Sequence, residues 1–387
     1  MEHAQTRNPL PRTTYRQVVG SLFFLQGLCF ATWASRIPSI QQRLSLSEAD
    51  LGFALLALPA GLMVSLPLAG WLVARAGSAR VVVGALFFYS LVLTSLGQAR
   101  SLAQLAAGLF VFGFAGNMVN IAVNTQGVGV EVLYQRSIMA SFHGMWSLAG
   151  FAAAAVGTVV MGAGVVPAQH FLGVTLGVWA VTAFCSRFTL KEEARTQGGG
   201  RIFAMPDKSL LALGIIAFCC MMCEGAMFDW SGVYFQQVVR AEPAWVGTGY
   251  ATFMASMATG RFIADWLTLK LGLTRVFQLS GSLIALGLLL AVGIPQLPTA
   301  LIGFLLVGFG VSSVVPLVYG AAGRSRTMPA GIALAAVSTI GFLGFLVGPP
   351  VVGLLASISS LRLSFTLIAG MGLCVALLAT AKRFDAP

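Results

Sequence analysis

The sequence predicts an all-α membrane protein, with twelve transmembrane helices in two pseudo-symmetric six-helix bundles. Three observations lead there. The 387-residue chain is 57% hydrophobic and only 9% charged, with a mean hydropathy of +0.88, whereas about a quarter of a soluble domain is charged. Apolar runs long enough to cross a bilayer, about 20 residues each, recur from end to end. The second half of the chain also repeats the first at a fixed register.

The runs predict helices over 17–36, 50–74, 79–98, 102–128, 137–163 and 168–188, then over 208–236, 243–269, 274–294, 297–320, 329–357 and 361–381. A barrel is excluded because its strands alternate over about 10 residues, and these runs do not alternate. The first run is no cleavable leader: it is long, lacks a small-residue cleavage site and leads into Arg36. Pro59, Pro67, Pro316 and the pair Pro349-Pro350 fall inside runs, where a break is tolerated if neighbours satisfy the freed carbonyls.

Twelve spans put both termini on one side. Of the Lys and Arg residues at helix ends and in loops, 17 fall on that side and 5 on the other, which predicts cytoplasmic termini. The net charge of +11 then reflects topology. A nucleic-acid binder would gather its charge on one water-exposed face. The six cysteines all lie in apolar segments, so no disulfide framework is expected. Cys219 and Cys223 are spaced as metal ligands could be, but no His accompanies them, and neither metal nor cofactor is expected.

One long polar connector, KEEARTQGGGRIFAMPDK from Lys191 to Lys208, separates six helices from six. It predicts an N-terminal bundle over 1–190, a cytoplasmic linker over 191–207 and a C-terminal bundle over 208–387. A shift of 195 residues lays GWLVARAGSAR (70–80) on DWLTLKLGLTR (265–275). Trp71, Leu72, Gly77 and Arg80 then match Trp266, Leu267, Gly272 and Arg275, and Arg75 meets Lys270.

Two parallel six-helix repeats with basic turns describe secondary transporters. The turn resembles the signature of the major facilitator superfamily, with Ala74 where that family usually has Asp. Within the superfamily, IPSIQQRLSLSEADLGF (37–53) is similar to the segment after helix 1 in fucose permease relatives. NIAVNTQG, SFHGMWSLAG, EGAMFDW and GFLGFLVGPP resemble a MosC-like branch, which implies a rhizopine- or sugar-type solute.

Ionisable groups at membrane depth are costly and are functional candidates by default. Glu224 lies about 16 residues into helix 7, near mid-depth by the helical rise, where it could bind and release a proton near neutral pH. Asp229 lies further out and pairs with Ala34 under the repeat. The fucose permease likeness implies carboxylates where this chain has Ala34 and Asn120, so acid function could have moved to helix 7. Asp229 could form an outer ion pair with Arg36, or be a solvated Asp at a helix mouth. His143 could relay protons or hold a hydroxyl, or simply bond a carbonyl. Gln26, Asn120, Asn124 and Gln126 could glue helices together; Asn120 and Asn124, one turn apart on one face, could together bind a polyhydroxylated solute, and Gln26 is a further candidate for the site. Trp33, Trp146 and Trp230 are candidate walls for a solute ring or interfacial anchors. Arg261 and Asp265, four apart, could pair on one face in a cytoplasmic gate, along with Arg75, Arg80, Lys270 and Arg275.

These features predict a transporter of a small sugar, polyol or inositol-like solute in the bacterial inner membrane. It would act as a monomer by alternating access, with protons as possible co-substrate. A drug or metabolite exporter of the same fold is the alternative, favoured by a mostly apolar cavity. A receptor on this scaffold would need a signalling domain for which the tails leave no room. No motif joins nucleophile, base and oxyanion donors, so no enzyme is expected.

Overall fold

A computed structural model describes residues 10–135, 138–190, 208–325, 328, 330–382 and 384; the expected linker, 191–207, lies outside them. The helices are α1 (Arg12–Ser35), α2 (Ile37–Leu44), α3 (Glu48–Ala76), α4 (Ser78–Leu96), α5 (Leu102–Tyr134), α6 (Met139–Gly162) and α7 (Pro167–Cys185). They continue as α8 (Lys208–Gln237), α9 (Thr248–Leu271), α10 (Leu273–Gly293), α11 (Leu297–Ser312), α12 (Val314–Gly323), α13 (Ala330–Ile358) and α14 (Leu361–Ala381). Among the described residues, 11 helical segments are long and apolar enough to cross a membrane. The twelfth span is α9, which carries Arg261, Asp265 and Lys270.

Most differences from the sequence reading have a local cause. IPSIQQRL forms the separate short helix α2, with a Pro in its first turn and Ser45 ending it at φ 50°. The tenth span breaks between α11 and α12 at Ser313, where Pro316 has no N–H to offer the Ser312 carbonyl. The Pro349-Pro350 pair does not interrupt its span: α13 runs through it for 29 residues. Side-chain caps fix other starts, with Ser47 accepting from the Asp50 N–H at 3.1 Å and Ser360 from the Leu363 N–H at 3.2 Å.

The repeat predicted from sequence is carried by the packing. In the first half α1 lies on α6, α3 on α5, and α4 on α5 and α7. In the second half the equivalent helices pair alike: α8 on α13, α9 on α11, and α10 on α11 and α14. The matched turns agree too, with Gly77 at φ 83° and Gly272 at φ 81°, a region that L side chains disfavour. A close approach recurs at the same register. A β-carbon on Gly113 would collide with the Leu58 carbonyl, and one on Gly308 would crowd that of Phe253.

The halves meet along two symmetric seams, α3 on α13 and α6 on α9, with α1 against α8 between them. On the side away from the termini the seams are tight. Gly52 abuts Pro349 and Gly353, Gly247 abuts Thr158, and Gly232 abuts Pro38. There the Gln236 amide also donates to Gln42 Oε1 at 3.4 Å. The six cysteines are free thiols.

Candidate functional site

A cavity of about 340 Å³ lies between the halves, walled by α1, α3, α4, α5 and α6 on one side and by α8, α9 and α13 on the other. Its lining is mostly apolar and aromatic: Phe23, Phe30, Tyr89, Phe112, Trp146, Phe228, Phe342 and Phe345. Seven polar side chains join them: Gln26, Asn117, Asn120, His143, Glu224, Asp229 and Arg261. Buried polar groups are costly without partners, so where each one is satisfied shows how the site is held.

Glu224 and Arg261 form an ion pair at 3.2 Å, the one salt bridge among the described residues. Arg261 also donates from Nη1 to Ser147 Oγ at 2.7 Å, and its guanidinium lies 5.8 Å from the Trp146 ring centroid. Glu224 and Arg261 belong to the second half, whereas Ser147 and Trp146 sit on α6 in the first. One guanidinium therefore ties the halves together at the cavity wall. Arg261, expected in a gate with Asp265, lines the cavity and holds Glu224. The Asp265 side chain lies outside the described residues.

Asp229 also faces the cavity but makes no ion pair among the described residues. The expected partnership with Arg36 is absent: Arg36, 2% exposed, donates from Nη2 to the Val165 carbonyl at 2.5 Å. A peptide oxygen in the α6–α7 turn takes the arginine, leaving the carboxylate to the cavity.

Across the cavity, Gln26 donates to Asn120 Oδ1 at 3.4 Å. Asn124 is outside the lining. Its amide donates to the Asn120 carbonyl at 2.8 Å and Oδ1 at 3.1 Å, so it braces Asn120. His143 lines the cavity and meets the Phe23 ring edge-on at 5.3 Å. Gln126 is glue, fully buried and bonded to Ser78 Oγ and the Leu190 carbonyl.

Of the three tryptophans, Trp146 is a wall. Trp33 and Trp230 are 0% exposed and outside the lining, contrary to expectation, because each turns into the packed core. Phenylalanines do more. Phe228 centres an aromatic cluster, stacked parallel on Phe345 at 6.3 Å and edge-on to Phe30 at 5.2 Å and Trp146 at 6.3 Å. These rings were missed because nothing in the sequence separates them from the other phenylalanines, 27 in all. Asn117, bonded to Ser65 Oγ at 2.7 Å, was legible: it lies one turn before Asn120 on the same face.

The paired basic turns lie away from the cavity. Arg75 sits over Trp71 at 5.5 Å and Lys270 over Trp266 at 4.3 Å, the same i, i+4 cation–π contact in each half. Arg80 and Arg275 are exposed at the starts of α4 and α10. No group of three or more metal-ligating side chains occurs among the described residues.

The comparisons with known proteins agree with this architecture. A family profile described as Major Facilitator Superfamily matches residues 19–329. An uncharacterized MFS-type transporter of Yersinia pestis is 35% identical over 360 residues, covering 93% of each chain. The membrane protein MosC of Rhizobium meliloti is 29% identical over 358 residues, 92% of this chain and 86% of that one. Among solved structures, a bacterial homolog of the human lysosomal transporter Spinster, inward-facing and unoccupied, superposes with a TM-score of 0.77. It does so at 14% identity, covering 98% of each chain, a likeness of fold alone. The chain is thus a multi-pass membrane transporter, not an enzyme, and belongs to the Major Facilitator Superfamily.

Proposed function

We propose that this protein is a proton-coupled secondary transporter of a small solute, working by alternating access around the central cavity. The halves 1–190 and 208–387 rock as units joined by the linker 191–207. Both termini lie in the cytoplasm of a bacterial cell and the tight seams face outward, so the conformation described is closed to the outside. A single chain encloses the whole cavity, so the monomer suffices for transport.

The observation that carries the coupling is the contact of Arg261 with both Glu224 and Ser147. Protonating Glu224 removes the charge that holds Arg261 and leaves the guanidinium to its neighbours across the seam. Solute and proton can each reset the tie between the halves, as coupling requires: a ligand shifts a conformational equilibrium only through its differential affinity for the two states. Gln26, Asn117 and Asn120 supply hydrogen bonds from the opposite wall. The aromatic cluster offers faces for the C–H side of a sugar, polyol or inositol-like ring.

The mostly apolar lining favours a second reading, an exporter of a drug-like or metabolite molecule with an extended apolar face. Direction separates the two. In proteoliposomes of known orientation under an imposed pH gradient, the first reading expects gradient-driven accumulation of a sugar or polyol. The second expects expulsion of an aromatic solute. Under either, replacing Glu224 with Gln abolishes the response to the gradient. An unaltered response in that variant would remove the coupling role.

A further inference from the structure

The charges on the cavity wall do not balance. Two carboxylates, Glu224 and Asp229, face one guanidinium, Arg261, and Glu224 holds that guanidinium at 3.2 Å. Asp229 is left without a cation. Toward the outer end of the first half, Arg36 and Arg43 each donate to peptide carbonyls and form no ion pair among the described residues. Arg36 bonds Val165, and Arg43 bonds Gly97 at 2.5 Å and Ala99 at 3.0 Å. Asp229 itself has no hydrogen bond or ion pair among the described residues. Helices α8 and α13 pack together without bringing a basic group to it.

Its surroundings point the same way. The preceding residue, Phe228, is the hub of the aromatic cluster, with Phe30, Trp146 and Phe345 around it. A low-dielectric cavity makes an uncompensated carboxylate expensive. A cation inside it gains both the carboxylate and the negative ring faces. The volume of about 340 Å³ admits a small organic molecule and is at the low end for ligand pockets.

We infer that the transported solute carries a protonated amine, and that Asp229 receives it against the aromatic cluster while the remainder of the molecule meets Gln26 and Asn120. This deepens the transporter reading and rests on the same cavity, but not on proton coupling through Glu224. Asp229 is a specificity-determining residue in this scheme, and Glu224 need not touch the amine.

The test uses the purified full chain at one fixed, near-neutral pH, measuring binding by calorimetry and ligand-induced thermal shift. Matched pairs serve as probes: glucosamine with glucose, cyclohexylamine with cyclohexanol, and tyramine with 4-ethylphenol. We expect at least one amine to bind about tenfold or more tightly than its neutral partner, equivalent to about 1.4 kcal/mol. Asp229→Asn should erase that preference while keeping the weaker neutral binding, which also shows that the variant is folded. Asp229→Glu should retain part of it. Equal binding within every pair, binding of none of the amines, or an amine preference that survives Asp229→Asn would each overturn the inference. Because the pH is constant, none of these results bears on the Glu224 coupling, which is read from the response to a pH gradient.

Discussion

The two halves share one scaffold and divide the chemistry unequally. Their helices pair in the same pattern, their basic turns have the same glycine geometry, and Gly113 and Gly308 approach equivalent carbonyls. The ionisable cavity groups break the symmetry. Under the 195-residue register, Cys29, Ala34 and Leu66 stand where the second half has Glu224, Asp229 and Arg261. The first half contributes amides, an imidazole and rings; the second contributes every charge that faces the cavity from the two spans α8 and α9. A duplicated frame constrains how the helices pack, because each close approach must be repeated. It leaves cavity-facing side chains free to diverge, so one half can specialise in charge and the other in shape and hydrogen bonding.

The frame's symmetry can be broken most forcefully at the glycines. Gly113→Leu and Gly308→Leu should each lower stability by about 3 kcal/mol or more, since overpacking against a carbonyl cannot relax as a flexible side chain would. Thermal unfolding should show losses of similar size in both halves. Gly70→Ala, where nothing lies within 4 Å of the added carbon, should leave the melting temperature unchanged or raise it. If only one of the two close approaches proves sensitive, the equivalence of the frames fails.

Charge asymmetry is sharpened by a double-mutant cycle. Arg261→Gln strands Glu224 in a weakly polar wall and should cost about 2 kcal/mol, between the values for exposed and fully buried pairs. Adding Glu224→Gln should recover part of that loss. Additive losses would mean that the pair is not coupled. At Leu66, the first-half position equivalent to Arg261, which is 47% exposed, a Leu66→Gln change should have little effect on stability.

The smallest effect belongs to the cation–π contacts of the turns. Arg75→Gln and Lys270→Gln should each cost about 0.5 kcal/mol, the value for exposed pairs, and should leave solute binding untouched. A large effect on binding would give these turns a role at the cavity that their position does not support.

Much of this was legible in the sequence. Run length located the spans, and the Trp-Leu-x-x-x-x-Gly-x-x-Arg match located the repeat. Glu224 and Asp229 stood out because carboxylates are rare in apolar runs. Partner choice was not legible. Helix periodicity offers Arg261 the acid four residues on, Asp265, whose side chain lies outside the described residues, while the contact with Glu224, some forty residues away in sequence, comes from tertiary packing that brings α8 beside α9. Arg36 was matched to Asp229 by depth along pseudo-symmetric helices, yet a carbonyl on a neighbouring turn took it. The three tryptophans share one composition and two fates, because burial depends on helix rotation, which apolar runs on every side do not encode.

The central claim is that Glu224 couples the solute cycle to the proton gradient through its hold on Arg261. The most direct test compares Glu224→Gln with wild type in proteoliposomes, measuring solute exchange at equal pH alongside accumulation driven by a pH gradient. The account predicts that exchange survives in the variant while gradient-driven accumulation falls to background. Accumulation that persists at the wild-type level, or loss of both activities in a folded protein that still binds solute, would contradict it.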